Sequence, residues 1–99
     1  MYHPLPPYLT INSSKINGLG LFAVEPIKKS TNIGISHVKD RHFANGYIRT
    51  PLGGFINHST TPNCKTFYEG RLISIITITD IKIGEELTLR YTMYNPSRT

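Results

Sequence analysis

The densest group of polar side chains lies in the stretch Gly53–Cys64, whose centre reads Asn57-His58-Ser59. These three side chains are neutral and can both donate and accept hydrogen bonds. Phe55-Ile56 precede them as an apolar anchor, and Pro62-Asn63 favours a turn, since proline presets its φ and asparagine tolerates irregular backbone. The pattern indicates either a loop that holds a polar ligand in a fixed pose or a turn whose side chains cap their own backbone.

A second candidate is Gly18-Leu19-Gly20, where two glycines permit a tight turn and close approach of a ligand to the backbone. It matches half of a dinucleotide-binding fingerprint. The third glycine is missing and no helix is predicted to follow, so a Rossmann site is disfavoured. A turn that presents backbone amides and carbonyls to another kind of ligand remains open.

Metal binding and nucleophilic catalysis have weak support. The histidines match no zinc-ligand spacing, and the chain has a single cysteine. The four histidines are His3, His37, His42 and His58. Cys64 has no recognisable nucleophile elbow around it, so we expect a small buried residue there.

Two further pairs carry polar groups near the end of the chain. Glu85 and Glu86 are adjacent, so on a strand they would face opposite ways, and we expect them to pair with the surplus lysines and arginines. Tyr91 and Tyr94 follow a predicted strand. Aromatic burial is the ordinary explanation for them, but a buried phenol needs a hydrogen-bond partner, which favours a polar pocket.

The elements that would position these residues are short strands. No window carries apolar residues at helical spacing over three turns, so the sequence predicts a mostly β fold with irregular connections. Glu69-Gly70 is predicted to be a hairpin turn. The predicted strands are Tyr8–Asn12, Leu21–Val24, Asn32–Val38, Tyr47–Arg49, Thr66–Tyr68, Leu72–Thr79 and Glu86–Tyr91.

The size and charge of the chain limit its class. Its 99 residues suit one domain, and its net charge of +5 with a pI near 9.6 favours acidic partners. The basic residues are scattered, which disfavours nucleic acid as a partner. Met1–Pro7 lacks an apolar signal-peptide region, and no apolar run approaches membrane-spanning length. With a single cysteine as well, we expect an intracellular, non-secreted protein, cytoplasmic or in a host cell if the source is viral.

Three blocks, in order, resemble the SET domain of protein lysine methyltransferases. Ser14–Ala23 resembles the family's opening glycine motif, and Phe55–Ser59 followed by Pro62-Asn63 resembles its Asn-His-Ser signature. Gly84–Thr88 followed by Tyr91 resembles its closing motif. The match spans roughly Tyr8 to Tyr94, and three blocks at plausible spacing are far more specific than one.

The resemblance implies a β-clip fold of short curved sheets, with a knot-like threading of the C-terminal segment past the Asn-His-Ser loop. It implies that S-adenosylmethionine lies against the glycine turn and the Asn57-His58 pair, and that Tyr91 is the catalytic residue. The target lysine would enter from the opposite face. The cofactor-binding residues implied by the family motifs are Lys15, Gly18, Leu19, Gly20, Asn57, His58 and Tyr94.

The sequence departs from the family pattern in ways that affect partners. Thr60 stands where many members carry a zinc-binding cysteine, so no metal is expected. The insert that shapes substrate recognition in the family is short, about Ser36–Leu52. We expect a minimal, stand-alone SET domain over residues 1–99, with its core at about 8–94, no pre-SET or post-SET module and a protein substrate. Because so short an insert provides little surface to line a substrate groove, we also expect a symmetric homodimer.

The rival hypothesis is a non-enzymatic basic β module that binds nucleic acid or protein through its net charge. It predicts steeply salt-dependent binding and indifference to the cofactor. The sequence lacks the basic and aromatic stripe that such a module favours.

Overall fold

The computed structural model describes residues 5–43 and 46–90. Its elements, in chain order, are β1 (Leu9–Ser13), β2 (Leu19–Ala23), β3 (Asn32–Lys39), β4 (Tyr47–Arg49), α1 (Pro51–Phe55), β5 (Asn57–His58), β6 (Cys64–Glu69), β7 (Leu72–Thr77) and β8 (Glu86–Leu89). The strands form one sheet in the order β1-β2-β8-β6-β7-β3-β4, and β5 pairs with β8 outside that path. The predicted mostly β class is confirmed.

Two hairpins follow directly from glycine-containing turns. β1 and β2 pair antiparallel, and the turn between them closes where the Ser14 amide donates to the Gly18 carbonyl at 2.8 Å. Gly18 has φ +46° there, and Gly70 has φ +60° in the turn between β6 and β7. These are left-handed conformations that glycine adopts without steric cost. The predicted turns at both places are confirmed.

Strand β8 lies in the middle of the sheet although it is the last described element of the chain. It pairs antiparallel with β2 on one side. On its other side it runs parallel to β5, with Asn57 opposite Thr88 and His58 opposite Leu89, and parallel to the start of β6. The Asn-His segment therefore lies beside the closing strand. The predicted knot-like threading involves residues 91–99, which lie outside the described residues.

The short helix α1 was not predicted, because five residues are too few to show a helical repeat. The sequence analysis placed Gly53–Phe55 in a loop, and that assignment is wrong. Thr50 caps the helix by accepting a hydrogen bond from the Gly53 amide at 3.5 Å, and Pro51 occupies the first turn, where its missing N–H costs nothing. A Cβ at Gly53 would overlap the Ser36 carbonyl oxygen, so this glycine allows α1 to lie directly on β3.

The core consists of aliphatic side chains from β2, β7, β8 and the connecting turns. Leu21, Leu87 and Leu89 are fully buried at the centre of the sheet. An antiparallel bridge between Ile27 and Ile81 joins the two turns that precede β3 and β8. The other buried apolar residues are Leu9, Ala23, Ile33, Leu52, Ile56, Cys64, Ile73 and Ile75. Cys64 is buried as predicted, and burial is the main reason that the pKa of its thiol is raised to about 12.

His37 is a buried polar residue on the inner side of β3. Its Nδ1 lies 2.9 Å from the Ser36 hydroxyl, which donates its own proton to the Ile73 carbonyl. Nδ1 must therefore carry the ring proton. Nε2 is buried and has no hydrogen-bond partner among the described residues. Burial, and secondarily the nearby Arg49, lower the pKa of His37, so the folded protein favours the neutral ring over the protonated one.

In the part of the chain that the structure describes, no helix is both long enough and apolar enough to cross a membrane.

Candidate active site

The side chain of Asn57 joins the glycine turn to the middle of the sheet. Its Nδ2 lies 3.1 Å from the carbonyl oxygens of both Asn17 and Leu19, and 2.8 Å from Oε2 of Glu86. An amide nitrogen has two protons for these three acceptors, so at least one of the bonds is shared. Asn57 therefore binds backbone carbonyls that are about 40 positions away in sequence, so its side chain does not merely cap its own turn.

Glu86 completes this network from β8. Its two carboxylate oxygens lie 2.8 and 2.9 Å from the Ser14 hydroxyl, and one of them also accepts from Asn57. The expected pairing of Glu86 with lysine or arginine is wrong, since its described partners are a hydroxyl and an amide. A carboxylate can accept several such bonds at once. Glu86 therefore fixes the position of both Ser14 and Asn57.

Gly20 makes room for this carboxylate. A Cβ at Gly20 would overlap Glu86 Oε2 and would lie 3.0 Å from Asn57 Nδ2. Leu19 and Gly20 lie in β2 rather than in the turn itself, which ends at Gly18. The second glycine of the motif is therefore needed for close packing against Glu86, which the sequence analysis did not predict.

Asn63 is a second residue whose importance the sequence analysis missed. Its Oδ1 accepts from the Thr88 amide at 2.8 Å, and its Nδ2 donates to the Glu86 carbonyl at 2.8 Å. It also lies 3.2 Å from the carboxylate of Glu85. The Asn63 side chain therefore makes hydrogen bonds to the backbone of β8 that a neighbouring strand would otherwise make. The Pro62-Asn63 pair was identified as a turn, but nothing in the sequence indicated that the side chain binds β8.

The two residues after Asn57 differ in what they contact. His58 is half-buried and lies beside Leu89 in the parallel pair of β5 and β8. The Ser59 amide donates to the Leu89 carbonyl at 3.0 Å, while the Ser59 hydroxyl accepts from the Thr61 amide. Ser59 therefore caps its own turn, as one of the two hypotheses about the Asn-His-Ser stretch expects.

The outer side of the glycine turn is open. A Cβ at Gly18 would meet no atom within 4 Å, and the side chains of Ile16 and Leu19 are 51% and 50% exposed. Lys15 is exposed beside them. The structure thus brings Gly18, Leu19, Gly20 and Asn57 together, with apolar surface next to backbone polar groups.

The remaining predicted site residues are Tyr91 and Tyr94, which lie outside the described residues. The chain reaches them from Arg90, whose guanidinium donates to the Thr60 carbonyl at 2.9 Å. Strand β8 and the residue after it therefore run alongside the Asn-His-Ser stretch up to residue 90.

The described ranges contain no candidate metal site, and two surface grooves lie away from Asn57 and the glycine turn. No group of three or more His, Cys, Asp or Glu within residues 5–43 and 46–90 could hold a metal ion. One groove of about 700 Å³ lies at the β3–β4 turn and is lined by Lys39, Arg41 and Arg71 among others. Another of about 780 Å³ lies between Pro26 and Ile83. Neither groove is lined by Asn57 or the glycine turn.

Comparisons with solved structures show the same fold in two distant proteins. A Plasmodium falciparum protein described as a histone methyltransferase matches with a TM-score of 0.70 and 21% identity, over 88% of this chain and 95% of that one. The methyltransferase domain of human PR domain-containing protein 2 matches with a TM-score of 0.69 and 19% identity, over 93% and 82% respectively. A search of curated proteins found no match for the chain.

The family model of the SET domain matches residues 35–92, which is more than half of the chain. That range contains the Asn-His-Ser stretch and the closing motif, two of the three blocks identified from the sequence. The SET-type fold expected from those blocks is confirmed by the solved structures. On these grounds the chain belongs to the SET-domain family.

Proposed function

We propose that this protein is an S-adenosylmethionine-dependent protein-lysine N-methyltransferase. Family membership and fold support a methyltransferase role. The observation that carries the finer proposal is the contact of Asn57 with the carbonyls of Asn17 and Leu19, because it joins the glycine motif to the Asn-His-Ser motif in one network. Those are the two motifs that the family resemblance assigns to the cofactor.

The residues present fit such a cofactor. The amide oxygen of Asn57 accepts no hydrogen bond from a described residue, so it is available to an amino group of a ligand. The exposed Ile16 and Leu19 side chains offer apolar surface for a flat ring. Lys15, Gly18, Gly20 and His58 would complete the binding surface. When bound, S-adenosylmethionine would supply an activated methyl group attached to a sulfonium.

The protein's own task is to present a neutral lysine amine. A lysine with a pKa of ~10.4 must lose its proton, which costs roughly 4 kcal/mol near neutral pH. An apolar channel lowers that cost because it disfavours the charged ammonium. In this proposal the Tyr91 phenol holds the deprotonated amine in line with the methyl group, so that alignment supplies most of the rate enhancement.

Two measurements test the proposal. Calorimetry in the presence of a chelator should show that both S-adenosylmethionine and its demethylated product bind. Mass spectrometry of lysine-containing proteins and peptides, incubated with the protein and labelled cofactor, should show methyl groups on lysine. Absence of binding of either compound at millimolar concentration would refute the proposal.

Binding experiments also distinguish the rival function from the enzymatic one. A non-enzymatic basic module would ignore the cofactor and bind nucleic acid with an affinity that falls steeply with salt. Binding titrations with DNA at several salt concentrations, with and without S-adenosylmethionine, distinguish the two cases.

A further inference from the structure

One face of the sheet carries an unusual density of exposed apolar side chains. Ile35, Ile48 and Leu72 are each 38% exposed, and Phe67 is 46% exposed. They lie on β3, β4, β7 and β6, four strands that are neighbours in the sheet. We call the surface formed by these four residues, together with Lys65 and Glu69, the outer sheet face.

The strand register shows that these residues share one side. Phe67 is opposite Ser74, and Ser74 is opposite Ile35. In the adjacent row Leu72 lies between Glu69 and Val38. Residues directly opposite on neighbouring strands point to the same side of a sheet.

Ile48 extends this second row, since it pairs with Val38. The alternate residues of β7, Ile73 and Ile75, are fully buried on the other side. Lys65 lies in a third row, opposite Ile76. The outer sheet face is therefore a continuous surface on which the four apolar side chains are exposed.

Strand β6 gives this face a particular charge pattern. Lys65, Phe67 and Glu69 alternate along the strand and are all exposed. Neither Lys65 nor Glu69 forms an ion pair with a described residue. At about 3.3 Å per residue the two charges stand roughly 13 Å apart, with the phenyl ring midway between them.

We propose that the outer sheet face is the contact surface of a symmetric homodimer. If the two-fold axis passes close to Phe67, Lys65 of one protomer faces the partner's Glu69, and the same pair forms again on the other side of the axis. A two-fold interface requires such a self-complementary surface. The apolar residues of both copies would then be removed from water together.

The charge pattern distinguishes a second copy from other occupants. An acidic or basic partner would leave either Glu69 or Lys65 facing a like charge, because β6 presents one of each. Only a partner with the opposite order of charges satisfies both, and an antiparallel second copy of β6 has that order. This inference does not depend on the proposed enzymatic activity.

The size of the outer sheet face determines how tightly we expect the dimer to associate. Four strands at about 4.8 Å spacing span only some 15 Å, so the interface is smaller than the ~800 Å² per partner typical of stable complexes. We expect a dissociation constant in the micromolar range. Sedimentation velocity of the whole chain, from about 1 μM to several hundred micromolar, covers that range.

The decisive variants reverse the charges. Lys65→Glu should weaken dimerisation at least tenfold, because two like-charged pairs replace two opposite ones. The double variant Lys65→Glu with Glu69→Lys restores both pairs in reversed order and should recover most of the affinity. Lys82→Glu makes the same change of net charge at an exposed residue lining the groove near Ile83, outside the outer sheet face, and serves as the control.

Phe67→Glu is an independent test, because it places one carboxylate from each protomer close to the two-fold axis, where they repel each other. This variant should stay monomeric over the whole concentration range. Because Phe67, Lys65 and Glu69 are exposed, we expect these variants to fold, which circular dichroism checks. The proposal is overturned if the wild type stays monomeric at the highest concentration. It is equally overturned if the dimer is indifferent to Lys65→Glu and Phe67→Glu, or if the double variant does not recover.

Discussion

The amide nitrogen of Asn57 lies 2.8 Å from the carboxylate of Glu86. The two residues are on β5 and β8, which run parallel, and the same amide also reaches the backbone of the glycine turn. One side chain therefore contacts all three blocks that resemble the SET family. We therefore expect a substitution of Asn57 to lower both the stability of the fold and the affinity for the proposed cofactor.

Replacing Asn57 tests this double role. Asn57→Ala leaves Glu86 with Ser14 as its remaining partner and removes the donor for two carbonyls, so we expect a loss of about 1–3 kcal/mol in stability. Affinity for S-adenosylmethionine, measured on the folded fraction, should fall as well. Asn12→Ala is the matched control, because the exposed Asn12 side chain has the neighbouring Ser13 amide as its one partner among the described residues. A variant that melts lower but binds normally would show that Asn57 is purely structural.

A charged replacement at the same position gives a sharper result. Asn57→Asp places a second carboxylate against Glu86 and two carbonyl oxygens, which are the described hydrogen-bond partners of the side chain and are all acceptors. We expect it to be less stable than Asn57→Ala at pH 7. The new carboxylate has a raised pKa in the folded protein, so the difference between the two variants should shrink as the pH falls toward about 4, the ordinary value for aspartate. Equal stability of the two variants at pH 7 would contradict the assignment of Glu86 as the partner.

Tyr91 carries the catalytic prediction, which comes from the family's closing motif. Tyr91→Phe removes one oxygen and keeps the ring, so we expect turnover to fall on the order of 10²-fold, equivalent to ~3 kcal/mol. Cofactor affinity should change much less. Tyr94→Phe is the comparison, since its expected role is to cover the cofactor, and it should keep most of the activity. A wild-type rate for Tyr91→Phe combined with an inactive Tyr94→Phe would reverse the two roles. Methylation rates with saturating cofactor measure both.

The adjacent glycines of α1 offer a matched pair for the fold. Gly53→Ala forces a methyl group onto the Ser36 carbonyl oxygen, which is backbone and cannot move aside, so we expect a loss of about 1–3 kcal/mol. Gly54→Ala meets no atom within 4 Å and removes a flexible residue from the helix, which should gain about 0.5–1 kcal/mol. Urea unfolding of the two variants checks the opposite signs. A similar effect of both would mean that α1 does not pack on β3 as described.

His37 predicts how stability depends on pH. Its pKa is lowered in the folded protein by burial and by Arg49, so the unfolded chain binds more protons below its ordinary value of ~6.5. Stability should therefore be complete above about pH 7 and should decline as the pH falls below ~6.5. A single group contributes at most about 1.4 kcal/mol per pH unit.

Denaturant titrations between pH 5 and 8 measure that slope. His37→Asn keeps a donor for the Ser36 hydroxyl but cannot titrate, so its slope should be shallower than that of the wild type. Identical slopes for the wild type and His37→Asn would rule out His37 as the source.

The strands could be predicted from the sequence because apolar and polar residues alternate along them. Tyr47–Arg49 was predicted with its observed bounds, and Asn32–Val38 and Tyr8–Asn12 were within one residue at each end. In β7 the alternation is visible in the burial, since Ile73 and Ile75 are fully buried and Leu72 is exposed. Such patterns are local, and local patterns are what a sequence displays directly.

What the sequence could not show is how distant segments meet. Glu86 was expected to pair with a lysine or arginine, yet its side-chain partners are Ser14 and Asn57, 72 and 29 residues away. Asn63 bonds to the backbone of β8, 25 residues away. The central place of β8 depends on long-range pairing, which has no signature in a strand of four residues.

That central place has a consequence for synthesis of the protein. While the ribosome is still making residues 86–89, β2 lacks its second neighbour and β6 has only β7 beside it. The nascent chain therefore exposes two open strand edges until residues 86–89 are made, and such edges attract other chains. We expect premature termination before residue 86 to yield aggregating fragments rather than a smaller folded unit.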